Sequence, residues 1–140
     1  MDRIVADASV VAKLFVEEEF SDEARMIRNS SISGEAALIE PPILAYEVIN
    51  GLRYSKIKGF TSEELKLVSE ALSNFNFSTQ STSQAAWNEA IDSAIKYGLS
   101  IYDAIYVATA KLSGATLYTA DDVLLKKTRL PFVKHISSYR

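Results

Sequence analysis

Short apolar runs alternate along this chain with longer segments in which apolar residues recur at helical spacing. Such an alternation favours an α/β fold whose strands form a parallel sheet. We therefore expect one domain, residues 1–140, with a central parallel sheet flanked by helices. The apolar runs predict strands at residues 4–6, 37–39, 75–77, 116–118 and 132–133.

Local start and stop signals divide the rest of the chain into seven helices. Serine or aspartate caps, prolines in a first turn and the capping-box spacing of Thr61 and Glu64 are typical of helix starts. Glycine is typical of helix ends, and it occurs here at Gly59, Gly98 and Gly114. The expected helices cover residues 9–16, 41–59, 83–98, 101–112 and 122–127, with two more that begin near residues 21 and 61.

Composition limits the chemistry that the chain can perform. At 48% hydrophobic and 24% charged residues it is typical of a folded globular protein. It has no cysteine and one histidine, which excludes disulfides, thiolate metal sites and multi-histidine zinc sites. Any bound metal must therefore be held by oxygen ligands, a preference of Mg²⁺, Mn²⁺ and Ca²⁺.

Charge and hydropathy narrow the partners and the compartment. A net charge of -3 argues against a protein that coats nucleic acid through a broad basic field. It does not argue against an enzyme that holds a few phosphates. No segment approaches the roughly 18 apolar residues that span a bilayer, and the N-terminus lacks the length of a signal peptide. We expect a cytoplasmic protein that does not enter a membrane.

Four acidic residues fall where the expected elements would bring them together: Asp7, Glu47, Asp103 and Asp121. Two directly follow predicted strands and two lie near the starts of helices, and ligands of open parallel sheets bind beyond the carboxyl ends of the strands. Clustered carboxylates repel one another unless a cation enters. The sequence therefore predicts an Mg²⁺ or Mn²⁺ site. Two hydroxyl residues, each two positions from an acid, are candidates to support it: Ser9 and Thr119.

Each acid also has a purely structural interpretation. Asp7 can cap the first helix, and either Asp121 or Asp122 can cap the short helix that follows. Ser100 and Asp103 have the spacing of a capping box. The glutamate can face solvent on its helix. At this level both interpretations remain open, and so does the choice between the two adjacent aspartates.

Four segments of the chain carry a resemblance to a known family: Val5-Ala6-Asp7-Ala8-Ser9, Pro42 to Glu47 with Asn50 and Leu52, Tyr102-Asp103-Ala104-Ile105-Tyr106-Val107-Ala108, and Thr119-Ala120-Asp121. Together they resemble the motifs of PIN-domain ribonucleases. Their order and the chain length resemble the VapC toxins of prokaryotic toxin–antitoxin pairs. The resemblance covers essentially the whole chain. Each motif is weak alone, but four in order are fairly specific.

The resemblance implies a three-layer PIN-like fold and a metal-dependent endoribonuclease that acts as a toxin on cellular RNA. It implies that Asp7 and Asp103 are the principal Mg²⁺ ligands, that Glu47 and Asp121 complete the acidic site, and that hydroxyls support it at two positions, Ser9 and Thr119. It also implies a homodimer and a cognate antitoxin that lays a peptide across the site. An inserted Arg or Lys of that peptide would pair with the carboxylates.

Further residues are candidates for contacts with RNA or protein. Basic residues either contact phosphates or are ordinary solvated surface: Lys13, Arg53, Lys56, Lys58, Lys126, Lys127 and Arg129. Three tyrosines either stack on an unpaired base or pack in the core: Tyr46, Tyr102 and Tyr106. Apolar residues form a groove, form a dimer face or pack the helical layer: Val48, Leu52, Ile57, Phe60, Leu65 and Val68. His135 is expected at the surface.

Two other functions fit parts of the pattern. A phosphoacceptor receiver domain is also α/β and binds Mg²⁺ with aspartates at strand ends. Receivers usually pair two adjacent acids after the first strand and carry a Lys-Pro step, whereas here Ala8 follows Asp7 and Leu130 precedes Pro131. The other alternative is an interaction module that keeps a PIN fold without cleaving RNA. The presence of all four acids argues against that module.

Overall fold

A five-stranded parallel sheet forms the centre of the protein in a computed structural model that describes residues 1–140. Its strands are β1 (Asp2–Ala6), β2 (Ala36–Glu40), β3 (Ser78–Thr79), β4 (Thr116–Thr119) and β5 (Val133–His135). The order across the sheet is β3-β2-β1-β4-β5, and every neighbouring pair is parallel. The predicted parallel sheet is confirmed. Because β1 and β4 are neighbours, the residues that follow them leave the sheet side by side.

Seven α-helices flank the sheet: α1 (Ala8–Val11), α2 (Ser21–Ser33), α3 (Leu44–Arg53), α4 (Ser62–Asn74), α5 (Gln84–Tyr97), α6 (Ile101–Ser113) and α7 (Asp122–Thr128). Two short 3-10 helices cover Ala12–Leu14 and Ile136–Ser138. None of the helices combines the length and the apolar character needed to cross a bilayer. The α/β fold with flanking helices is as predicted.

Helices α1 and α2, on either side of the buried Ser21 hydroxyl, differ from the predicted helices. The sequence predicted a first helix over residues 9–16 and a polar cap at the start of the second. Ser21 Oγ instead donates to the carbonyls of Lys13 at 3.1 Å and Val16 at 3.3 Å. These bonds hold Ser21 against the turn that follows α1, and α1 itself ends at Val11. The cap position of α2 is occupied by Phe20 in the left-handed conformation, with φ 67°.

The helix predicted over residues 41–59 is shorter at both ends. The two prolines form the turn before α3, in which Pro41 O accepts a hydrogen bond from Leu44 N at 3.2 Å. After α3, Ser55 Oγ accepts a hydrogen bond from Ile57 N at 3.2 Å. This local bond competes with helical bonding, so the helix ends several residues before the glycine that was expected to stop it.

The strand predicted over residues 75–77 is wrong. Phe75 is the cap of α4, and its N–H still bonds to carbonyls within that helix. The rings of Phe75 and Phe77 lie 5.3 Å apart and pack against the core. Alternating aromatic residues therefore produce burial without strand pairing. The pairing with β2 is made by the next two residues, which form β3.

Most end signals in the sequence act as predicted. The capping box at the start of α4 is complete, because Thr61 Oγ1 accepts from Glu64 N at 3.1 Å and Glu64 Oε1 accepts from Thr61 N at 3.0 Å. α5 and α6 end at Gly98 and Gly114, which have φ values of 66° and 62°. The other four predicted strands coincide with β1, β2, β4 and β5, with small shifts at their ends.

Helix α6 is the element that carries the site over the sheet. Its residues from Ala104 to Ala110 are all buried, and it packs against β1, β2 and β4, with α5 packed on α6. Alanines allow this close approach because their side chains are small. α6 leads directly into the start of β4. Its first turn, which contains Asp103, therefore lies toward the carboxyl ends of the parallel strands.

Two glycine substitutions should change stability in opposite directions. Gly114→Ala should lower the free energy of unfolding by about 1 kcal/mol, because an L side chain is strained at φ 62°. Gly51→Ala should raise it by about 0.5–1 kcal/mol, because this residue lies within α3 and nothing lies within 4 Å of an added Cβ. Urea denaturation of the two variants measures both changes. If the free energy of unfolding changes in the same direction in both variants, the helix ends described above are contradicted.

Candidate active site

Asp7 lies directly after the central strand β1 and is almost fully buried, with 7% of the residue exposed. Its Oδ1 accepts hydrogen bonds from Ser9 Oγ at 2.5 Å and from Val10 N at 3.3 Å. The bond from Val10 makes Asp7 the N-cap of α1. The cap interpretation is thus correct for Asp7. It does not compete with a role in binding, because the same carboxylate faces the other acids.

Two hydroxyls hold the loop after β4 against Asp7. Ser9 Oγ donates to Asp7 and accepts a hydrogen bond from Ala120 N at 3.0 Å. Thr119 is fully buried, and its Oγ1 accepts from Asp121 N at 3.0 Å. Hydrogen bonds from both hydroxyls lower the pKa of Asp7. Ser9 and Thr119 therefore lie where the sequence analysis expected supporting hydroxyls.

Asp103 and Asp121 face the same edge of the sheet. Asp103 lies in the first turn of α6, where its N–H donates to Ser100 Oγ at 3.1 Å. No return bond joins Ser100 N to the Asp103 carboxylate, so only half of the predicted capping box forms. Asp121 is the N-cap of α7, and its Oδ1 accepts from the N–H groups of Val123 at 2.9 Å and Leu124 at 3.2 Å.

The structure separates the two adjacent aspartates. The charge of Asp121 raises the pKa of Asp103, so these two carboxylates lie near each other at this edge. Asp122 is exposed, and its Oδ1 lies 3.8 Å from His135 Nε2. Of the two aspartates, it is Asp121 whose charge acts on Asp103. The half-buried His135 contacts Phe20 edge to face, at 5.0 Å between ring centroids.

Glu47 reaches the same edge from α3. It lies in the first turn of that helix, is half-buried, and lines a cleft of about 610 Å³ together with Tyr102 from the first turn of α6. The charges of Glu47 and Asp7 both act on the hydroxyl of Tyr106. Asp7, Asp103 and Asp121 therefore lie at one edge of the sheet, and Glu47 lines the cleft beside that edge.

Burial and mutual repulsion perturb two of these acids. Burial raises the pKa of Asp7 to about 6, although hydrogen bonds from Ser9, Thr119 and Val10 lower it, and the charge of Asp103 adds to the rise. Burial is also the largest cause of the raised pKa of Asp103. No Lys or Arg forms an ion pair with any of the four acids. The negative charge at this edge is therefore offset only by the more distant charge of Lys127, which lowers the pKa of Asp103.

The arrangement fits a hydrated hard cation better than a tightly caged one. No three acidic or histidine side chains come close enough to hold a metal ion between them. Mg²⁺ keeps several water ligands and is commonly held by only one or two carboxylates, and Mn²⁺ prefers the same oxygen ligands. A Ca²⁺ cage with six to eight protein oxygens would need a tighter cluster. The all-oxygen set at this edge suits Mg²⁺ or Mn²⁺.

The basic residues considered for RNA contacts differ in their exposure and in whether another group already holds them. The prediction that Lys13 contacts RNA is wrong, because this residue is buried and its Nζ donates to Glu18 Oε1 at 2.9 Å. Lys58 pairs with Glu64 at 2.6 Å. Lys127 is exposed on α7, where its charge lowers the pKa of Asp103 and its Nζ donates to a backbone carbonyl. The remaining candidates are exposed: Arg53, Lys56, Lys126 and Arg129.

The three candidate tyrosines differ in their exposure to solvent. Tyr46 and Tyr102 are 74% and 56% exposed, so the core interpretation is wrong for both. Tyr106 is 2% exposed, so the stacking interpretation is wrong for it. Sequence reasoning missed the exposed Trp87 in the first turn of α5. Its signal was a row of apolar residues at intervals of four, offset from the buried face of the same helix.

Three neighbouring clefts along α3 share lining residues, and together they are here called the α3 groove. Their volumes are about 240, 610 and 600 Å³. The first and second share Tyr46 and Tyr102, and the second and third share Arg53. The groove runs from Trp87, past Glu47, to Phe60 and to Leu65 of α4. It thus passes directly beside the acidic edge.

The apolar residues considered for a groove or a dimer face also differ in their burial. Three are buried and pack the helical layer: Val48, Leu52 and Val68. Ile57 is 60% exposed. Phe60 and Leu65 are half-buried and line the α3 groove. The groove prediction is therefore wrong for the first three residues and holds for these last two.

Comparison with known proteins agrees with this arrangement. The chain matches the PIN domain family over residues 4–130, and it belongs to that family. This membership rules out the receiver-domain alternative. The chain is 35% identical over 127 residues to the protein named Ribonuclease VapC3 from Pyrobaculum aerophilum, an alignment that covers 89% of this chain and 94% of that protein.

Solved structures share the fold. A toxin–antitoxin complex from Klebsiella pneumoniae matches 95% of this chain and 97% of its own, with TM-score 0.67 and 21% identity. PAE2754 from Pyrobaculum aerophilum matches 98% of this chain and 85% of its own, with TM-score 0.65 and 24% identity. VapC20 from Mycobacterium tuberculosis, described as a Sarcin-Ricin loop cleaving toxin, matches 89% and 95%, with TM-score 0.67 and 14% identity.

The raised pKa of Asp7 predicts a pH-dependent stability in EDTA. Between pH 3.8 and about 6 the folded protein keeps a proton on Asp7 that the unfolded chain has lost. Folding is therefore favoured at the acid end, and the Asp7 contribution to the free energy of unfolding should fall by about 3 kcal/mol as the pH rises through this range. Asp7→Asn should remove that fall while keeping a good N-cap.

Urea denaturation at several pH values, wild type against Asp7→Asn, measures the difference. The exposed Asp92→Asn on α5 is the matched control and should keep the wild-type slope. A wild type and an Asp7→Asn variant with parallel profiles would contradict the burial of an unneutralised carboxylate at this position.

Proposed function

We propose that this protein is a metal-dependent endoribonuclease and the toxin of a toxin–antitoxin pair. The observation that carries the proposal is the acidic edge, where Asp7, Asp103 and Asp121 face one another with no cationic side chain paired to them. Membership of the PIN domain family and 35% identity to a protein named as a ribonuclease support it. An enzyme that cuts cellular RNA would act in the cytoplasm.

In this proposal Asp7 and Asp103 are the principal ligands of Mg²⁺ or Mn²⁺, and Glu47 and Asp121 complete the site. When bound, such a cation lowers the pKa of a water molecule and neutralises charge on a phosphodiester. The chain itself orients the carboxylates. The Ser9 hydroxyl donates to Asp7, and the cap bonds of Asp121 fix that side chain at the start of α7.

The RNA strand would lie between two surfaces that flank the acids. Tyr46 and Tyr102 immediately precede Glu47 and Asp103 in the chain and expose their rings in the α3 groove. Unpaired bases stack on such rings, and an exposed Arg53 in the same groove can contact a phosphate. Further exposed basic residues lie on and directly after α7, the helix that Asp121 caps: Lys126, Lys127 and Arg129.

The same groove is our proposed site for an antitoxin peptide. Solved structures with this fold include toxin–antitoxin complexes. The α3 groove offers the half-buried apolar side chains of Phe60 and Leu65 at one end and unpaired carboxylates beside its middle. A peptide with an apolar anchor and an Arg or Lys would complement both features. We also expect a homodimer, and the exposed row of Trp87, Ile91 and Ile95 on α5 is a suitable face.

Cleavage of RNA tests the central proposal. The purified protein should cut total cellular RNA with Mg²⁺ or Mn²⁺ and not in EDTA. Asp7→Asn, Asp103→Asn and Asp121→Asn should each lower the rate at least about a hundredfold, because each removes a charge from the acidic edge. Product formation is followed on a denaturing gel.

Asp122→Asn is the matched control for this series. It removes the same charge one residue away, on a side chain that faces His135, and should keep the wild-type rate. RNA binding without cleavage under every metal condition would instead support the non-catalytic module. A loss in Asp122→Asn with the wild-type rate in Asp121→Asn would show that the wrong aspartate was assigned.

Base stacking makes a separate prediction. Tyr46→Ala and Tyr102→Ala should each weaken the binding of single-stranded RNA by about tenfold, because stacking on one ring contributes about 1–3 kcal/mol per base. Fluorescence anisotropy of a labelled RNA with the Asp7→Asn protein measures affinity without cleavage. Ile32→Ala, at a 78% exposed position on α2, is the control and should bind normally. Unchanged affinity in both tyrosine variants would exclude this path for RNA.

A further inference from the structure

One buried polar side-chain atom in the protein has no hydrogen-bond partner, and it is the hydroxyl of Tyr106. The residue is 2% exposed, so bulk water does not reach this hydroxyl. Phenylalanine would fill the same space in α6 without burying an unpaired O–H group. Packing alone therefore does not explain why a tyrosine occupies this position.

Carboxylates from three elements surround the hydroxyl. They belong to Glu47 on α3, Asp7 after β1 and Glu40 at the end of β2. Burial is the largest cause of a pKa of Tyr106 well above its usual value, and these negative charges add to the effect. Tyr106 therefore keeps its proton at neutral pH. It is a hydrogen-bond donor among acceptors, one helical turn after Asp103.

Two of the three acceptors already have donors. Asp7 accepts hydrogen bonds from Ser9 Oγ and Val10 N. Glu40 Oε1 accepts from Thr79 Oγ1 at 2.9 Å. The Glu47 carboxylate accepts no hydrogen bond of regular geometry, but it lies near enough to the Tyr106 hydroxyl for that contact to raise the Tyr106 pKa. The unpaired donor and the unpaired acceptor thus adjoin each other beside the acidic edge.

We propose that Tyr106 is a positioning residue for Glu47, with its hydroxyl donating to the Glu47 carboxylate and fixing the orientation of that side chain when a divalent cation is bound. The proposal rests on the proposed function, because it assigns Glu47 to the cation site. A carboxylate held through one oxygen presents the other in a fixed direction. Bonds of this kind to a metal ligand typically change metal affinity by about 10–100-fold.

Binding of Mn²⁺ to the purified full chain, without RNA, tests this role by titration calorimetry. Tyr106→Phe should weaken Mn²⁺ binding by about tenfold. Its urea midpoint in EDTA should equal or exceed that of wild type, because the substitution removes a hydroxyl that has no partner. In a Glu47→Gln background, Tyr106→Phe should weaken Mn²⁺ binding no further, because the two residues act as one unit.

Tyr139→Phe is the matched control. Its hydroxyl donates to Ser30 Oγ at 2.8 Å, outside the acidic edge, so its loss should lower the urea midpoint and leave Mn²⁺ affinity unchanged. The proposal is overturned if Tyr106→Phe behaves like this control. It is also overturned if the effects of Glu47→Gln and Tyr106→Phe on Mn²⁺ binding add.

Failure of the proposed function gives a different result. A wild type that binds Mn²⁺ but cuts no RNA contradicts the nuclease, and the Mn²⁺ series still decides the role of Tyr106. A wild type that binds no Mn²⁺ overturns both proposals. A wild type that binds Mn²⁺ and cuts RNA, with Tyr106→Phe unchanged in affinity, overturns the positioning role alone.

Discussion

The unneutralised negative charge around Asp7 is the constraint on which the rest of this structure depends. A carboxylate at the end of a central strand is removed from water, and the nearest other charges at that edge are also negative. A fold normally avoids such an arrangement, because burial and like charges both oppose ionisation. Here the sheet order brings the ends of β1 and β4 together, and α6 adds a third acid above them. The topology itself therefore creates the repulsion that a cation would relieve.

Helix starts offset part of this cost. Asp7 is the N-cap of α1, Asp121 is the N-cap of α7, and Asp103 lies in the first turn of α6. The N-terminus of a helix carries a partial positive charge and unpaired N–H groups, so each carboxylate meets a favourable field. The structural and the functional interpretations of these acids are consequently the same arrangement. An acid that caps a helix is held in one orientation, which is also what a binding site requires.

Local chemistry made much of the fold predictable. Caps, glycine stops and apolar runs act through neighbours in the chain, so the complete capping box at Thr61 and four of the five strands could be read from the sequence. The failures arise where distant contacts decide. Phe75 and Phe77 alternate like a strand because two rings meet the core. Lys13 is buried and held by contacts with two later residues, an ion pair with Glu18 and a hydrogen bond from Ser21 Oγ to its carbonyl. No local pattern around residue 13 predicts these contacts.

The double role of Asp7 and Asp121 also bears on how such a chain would evolve. Asparagine caps helices about as well as aspartate, and one nucleotide transition converts either aspartate codon to an asparagine codon. Under the proposed function, a lineage could therefore silence the toxin in a single step while the polypeptide stays folded. The silenced copy would still occupy its antitoxin, which would leave less inhibitor for any active copy in the same cell. Inactive variants would then persist as folded proteins that compete for the antitoxin, rather than being lost through misfolding.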